Sequence, residues 1–124
     1  KLLDNIYENN RSALQKADVA FGNVITASPT YQDAYLYRAR TNSLIGNDEM
    51  TIKYYETYIA KVTEKGPEEL AKPTTTKKVI ESYNNIAASY ANSDKVKAIE
   101  FFNKTLTIDP MNAYATESLA KLKK

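Results

Sequence analysis

Ala17, Phe21, Val24 and Pro29 are separated by four, three and five residues, and the same intervals recur in Ala98, Phe102, Thr105 and Pro110. A weaker copy is Thr51, Tyr55, Tyr58 and Thr63, where threonine replaces both the small residue and the proline. Such self-similarity is the mark of a repeat architecture, and it restricts the fold more than any other feature of the chain. Each set follows one physical logic. A small side chain lets the second helix of a hairpin approach the first, an aromatic four residues on fills the space between them, and proline stops the helix.

The segments ahead of these sets are helical as well. Tyr83, Ile86, Ala87 and Tyr90, spaced three, one and three, put aromatic and small residues on one inward face, and Tyr35 and Ala39 begin the same pattern earlier. Leu2, Leu3, Ile6 and Tyr7 open a short stripe, and Ser12 with Gln15 predicts a capping-box start for a second helix through Ala17 and Phe21. Gly46 reads as a helix stop, Asn47 or Asp48 and then Asp94 as helix starts, and Asp109-Pro110 as the end of a further helix. No segment alternates with period two over a strand's length, so the fold class is all-α.

The pattern of a large aromatic, an aliphatic, a small residue and a tyrosine, followed by the small-aromatic-proline series, resembles the tetratricopeptide repeat (TPR) family. The resemblance implies an α-α superhelix, a solenoid of antiparallel helical hairpins. Three of them are expected in one domain spanning residues 1–124: hairpin 1 at about 1–29, hairpin 2 at about 30–63, a spacer at 64–76, hairpin 3 at about 77–110 and a capping helix at 111–124. Pro29 to Pro110 is 81 residues, against about 68 for two family periods, and the spacer absorbs the excess. Tyr58 is bulky where the family keeps a small residue, which predicts a wider gap there, filled by Leu70. Arg38 and Asn42 depart from the pattern, standing where an aliphatic and a tyrosine belong. The first hairpin lacks its leading aromatic, from which the hairpin or the stack is expected to have continued before Lys1.

Composition argues against catalysis. The chain has no histidine and no cysteine, which removes the commonest general acid/base, the commonest metal ligand and any thiolate. Glu68-Glu69 and Asp48-Glu49 sit at helix starts, where the macrodipole favours acidic side chains. No phosphate loop, metal-ligand spacing or nucleophile motif occurs, so neither metal nor cofactor is expected. A net charge of +2 is too near balance to suggest nucleic acid, and Tyr7, Tyr35, Tyr55, Tyr83 and Tyr90 fall at core positions instead of base-stacking ones. No apolar run approaches the ~20 residues that membrane insertion requires.

What the resemblance implies is protein recognition: the chain is expected to be a scaffolding module that takes a peptide or protein in the concave groove lined by the first helix of each hairpin. The expected groove residues are Lys1, Asn5 and Glu8, then Asp33, Leu36, Tyr37 and Arg40, then Glu81, Asn84 and Ala88. Tyr31, Tyr37 and Tyr54 are the tyrosines left for partner contact. One subclass of the family clamps a peptide's terminal carboxylate. Here Lys1 and Asn5 fit its first two places, but Tyr37, Glu81 and Asn85 stand where asparagine, lysine and arginine are needed, so no such clamp is expected. The alternative is a structural subunit, or a piece of a longer helical-repeat protein, that self-associates or docks through its stack ends. Family members with a spacer of this kind imply an exported or periplasmic bacterial setting over a cytoplasmic one.

Overall fold

The computed structural model describes residues 2–124, apart from the side chains of Leu2, Leu3 and Tyr7. Among the described residues seven helices follow one another: α1 (Leu2–Ala27), α2 (Gln32–Ile45), α3 (Asp48–Glu64), α4 (Pro67–Ala71), α5 (Pro73–Tyr90), α6 (Lys95–Ile108) and α7 (Ala113–Leu122). No strand occurs among the described residues.

Local chemistry sets the boundaries. Gly46 takes the left-handed conformation (φ 89°), and its N–H and that of Asn47 both return to the carbonyl of Asn42, ending α2. Asn47, Asp94 and Asn112 each accept a hydrogen bond from a backbone N–H three residues on, at 3.0–3.1 Å, starting α3, α6 and α7. Gly66 (φ 97°) allows the sharp entry to α4, and Pro67 and Pro73 occupy first-turn positions, where a missing N–H costs nothing.

The packing is that of a stack. α2 pairs with α3 and α5 with α6; α1 lies on α2, α3 on α5, and α7 on α6. One core joins Leu36, Ala39, Tyr55, Tyr58 and Val62 to Val79 and Ile86, and a second gathers Ala87, Phe102, Ala115 and Leu119 under α7. Tyr58 is fully buried and Leu70 packs against this core from α4, within the expected spacer. Helix α5 begins at Pro73, four residues before the expected start of its hairpin.

The first hairpin is a correction. Residues 2–27 form one uninterrupted helix, with no turn near Ser12. Asn9-Asn10-Arg11-Ser12 contains neither glycine nor proline, and a serine followed by glutamine sits inside a helix as readily as at its start. Every described side chain from Asp4 to Ala13 is exposed, and α1 first meets α2 where Asn10, Arg11 and Leu14 line a hollow with Leu44 and Ile45.

That difference changes what the repeat signature touches. Thr51, Tyr55 and Tyr58 are 1%, 2% and 0% exposed, and Ala98, Phe102 and Thr105 are 0%, 1% and 0%. Their counterparts on α1 are not sealed, because the first helix that would cover them does not fold back: Ala17 and Phe21 are half-buried and Val24 is 39% exposed.

Candidate functional site

In a solenoid of hairpins the first helices line the inner face, and here these are α2, α5 and α7. The seam between α2 and α5 is crossed by two ion pairs. Lys78 Nζ lies 3.3 Å from both carboxylate oxygens of Asp33, and Arg40 grips Glu81 with two parallel hydrogen bonds of 2.8 and 2.7 Å. Glu81 also accepts from the hydroxyl of buried Tyr55 at 2.9 Å. Burial pushes the Glu81 carboxyl up, but the bonds from Arg40 and Tyr55 outweigh it and hold it below its usual range. Tyr55 is itself raised, first by burial and then by the neighbouring Glu81 charge.

Tyr37 completes this face, its ring 5.6 Å from that of Phe21 and 5.9 Å from the Arg40 guanidinium. Further along, Ala88 of α5 and Ala91 just past its end, with Phe102 of α6 and Tyr114, Ser118 and Lys121 of α7, line an open hollow of ≈ 200 Å³. The inner face thus offers an aromatic and an arginine at one end and, at the other, a hollow whose lining includes Ala88, Phe102 and Lys121. Its charges between these ends are already matched.

Of the expected groove residues, Asp33, Tyr37, Arg40 and Glu81 come together on the α2–α5 seam, and Ala88 lies in the hollow. Two do not belong there. Leu36 is fully buried, because α2 is packed by α1, α3 and α5 at once and one residue beyond Tyr35 already faces its neighbours. Asn84 is buried as well, accepting from Thr105 at 2.8 Å and donating to Asn112 at 3.4 Å, so it ties α5 to α6 and to the start of α7. Asn5 and Glu8 are exposed on the outer half of α1, which never turns back beside α2. Lys1 lies outside the described residues. Tyr54 is not free either: Arg38 lies over its ring at 4.6 Å.

Several partners were not legible. Asp18 takes a 2.8 Å bond from Arg38 and a 2.7 Å bond from Asn42, so the two departures from the repeat pattern answer a single carboxylate on the preceding helix. Hydrogen bonding from Arg38 holds the Asp18 carboxyl below its usual range. Glu69 of the spacer accepts from Thr75 (2.7 Å), Lys72 (3.1 Å) and Gln32 (3.3 Å), which bring its carboxyl down to about 2 and fasten α4 to both α2 and α5. Phe101 stacks between Tyr83 and Tyr90 at 6.1 and 6.0 Å, although the spacing singled out only Phe102. Among the described residues no group of three acidic, histidine or cysteine side chains could hold a metal ion, and no helix is long and apolar enough to cross a membrane.

No family model matches the chain, and no curated protein matches it in sequence. Among solved structures it is similar to the first TPR of Spaghetti (RPAP3) bound to the HSP90 peptide SRMEEVD, with a TM-score of 0.69 at 16% identity over 99% of this chain and 86% of that one. The fold is therefore that of a TPR solenoid.

Proposed function

We propose that this domain is a protein-recognition module that holds a peptide or protein segment along the inner face of α2, α5 and α7. The observation that carries this reading is the composition of that face, where half-buried Tyr37 and exposed Arg40 stand beside a seam of matched charges and a hollow lined by Ala88, Ala91 and Phe102 follows. Aromatic and arginine side chains dominate binding energy at interfaces, and small residues let a partner's backbone come close. The peptide-bound state of the structural neighbour supports the same class of role. No residue here is proposed to do chemistry.

Affinity capture with the domain, repeated with Tyr37→Ala and Arg40→Ala, tests the reading. Both substitutions are expected to reduce capture of the same partner several-fold at a temperature well below each variant's own melting midpoint, with circular dichroism checking that each is folded there; Arg40→Ala also removes the bidentate partner of Glu81 and should lower that midpoint. Retention of the partner by both variants would sink the groove reading.

A second reading is favoured by a separate observation, the open repeat face on α1. The chain docks there, at the N-terminal end of its stack, onto a helix that supplies what the first hairpin lacks.

A further inference from the structure

The spacer does more than absorb length. Where α4 joins α3 to α5, a half-enclosed cavity of ≈ 310 Å³ opens between α3, α4, α5 and α6. Ile59, Leu70, Val79 and Ile108, one from each of these helices, make up its apolar lining. Leu70 reaches it from the spacer without filling it. The short helix is held in that position, because the Leu70 carbonyl accepts from Thr76 at 2.9 Å and Glu69 is tied to Gln32, Lys72 and Thr75. The cavity is therefore pre-formed, as ligand sites usually are. None of the residues that line it takes part in the α2–α5 seam or in the hollow beside α7.

Its chemistry is narrow. No charged side chain lines it, so an ionised group placed there would lose its water without gaining a partner. Three hydroxyls do line it, but two are committed as donors. Thr63 donates to the Ile59 carbonyl at 2.7 Å, and Thr76 to those of Leu70 and Lys72 at 2.9 and 3.1 Å. The third, on Tyr83, makes no hydrogen bond among the described residues, and burial alone pushes it above its ordinary range. Size narrows the choice again: a dry cavity of about 150 Å³ takes one benzene ring, so this one has room for about two. An aromatic side chain of a partner would bring its own N–H and C=O to the mouth, where the lining has no charged group and one free donor to hold them.

We propose that this cavity is a binding site for a free, neutral small molecule with an apolar body of about two rings and a single polar group. The body lies against Ile59, Leu70, Val79 and Ile108, and the polar group accepts from the Tyr83 hydroxyl. The occupant touches α3 on one side of the spacer and α5 and α6 on the other, so it fastens the second hairpin to the third. Because the unfolded chain has no such cavity, binding stabilises the fold. This site is independent of the inner face, and either can be occupied without the other.

Naphthol is a suitable probe, since the chain has no tryptophan and naphthol emission can be excited apart from that of tyrosine. Titrated into the whole chain, it is expected to bind one-to-one and to raise the melting midpoint. Tyr83→Phe should weaken naphthol several-fold, up to about tenfold, while leaving the affinity for naphthalene unchanged. Thr63→Trp and Ile108→Trp, at exposed positions on two different helices, should abolish binding of both compounds. Circular dichroism checks that each variant is folded. Naphthalenesulfonate, the charged analogue, should bind about tenfold more weakly than naphthol or worse. Absence of naphthol binding up to its solubility, or binding that survives both tryptophan substitutions, overturns the proposal. Equal binding of the sulfonate does so as well, since it marks unspecific adhesion. Tighter binding of N-acetyltryptophanamide than of naphthol also overturns it, assigning the cavity to a partner's side chain instead.

Discussion

Tyr55 and Tyr58 are three residues apart in α3 and equally buried, but their hydroxyls have opposite fates. The hydroxyl of Tyr55 donates to Glu81, whereas that of Tyr58 is buried without a hydrogen-bond partner among the described residues. An unmade buried hydrogen bond costs about 1–3 kcal/mol. Tyr58→Phe is therefore expected to leave the thermal midpoint unchanged or raise it, and Tyr55→Phe to lower it, which differential scanning calorimetry of the two variants would compare. Glu69 provides the pH dependence. Its folded carboxyl titrates near 2 against an ordinary 4.5, so the stability it contributes is complete above the ordinary value and is lost as pH falls from there toward 2. Melting curves between neutral pH and pH 2 should show that loss, and Glu69→Gln should be less stable at neutral pH with a shallower acid decline. Neither hydroxyl's fate was visible in the sequence. The repeat spacing places both rings inward, but whether a hydroxyl meets a carboxylate from 26 residues away depends on the neighbouring hairpin.

Helix boundaries were the most legible level, because they depend on nearby residues. Gly46, Asn47, Asp94 and the Asp109-Pro110 stop act where the sequence puts them, through caps that need only a few neighbours. The missing turn in α1 shows the converse: a capping-box spelling has no force where nothing packs a returning helix against the next. Asn112 is the cap with most at stake, since it starts α7 and also accepts from Asn84. Asn112→Ala is expected to cost about 1–2 kcal/mol and to raise amide exchange through α7 before the rest of the chain, as hydrogen–deuterium exchange would show. Gly46→Ala forces an L side chain into φ 89° and should cost about 1–2 kcal/mol without disturbing the inner face.

At the scale of the whole molecule, the repeat arithmetic carried the solenoid fold. What it could not carry was which groove positions remain available. Leu36 and Asn84 follow the same offsets as Asp33 and Glu81, but α2 and α5 are each covered on several sides, and burial of a given offset depends on all of those neighbours. With Arg40 committed to Glu81 and Lys78 to Asp33, the two cations that cross that seam are already paired and a terminal carboxylate would have to compete for them. A peptide bound along this face is thus expected to bind no more tightly with a free C-terminus than with an amidated one, as isothermal titration would measure. The junction of α1 with α2 has a different implication. Asp18 answers Arg38 and Asn42, and Gly22 leaves space for the same guanidinium, which a β-carbon would meet at 2.9 Å. These four residues recognise one another as lock and key within a single polypeptide. A generic repeat grafted in place of α1 would strand the arginine, so the units of this array are not interchangeable bricks but an ordered set, each fitted to one successor.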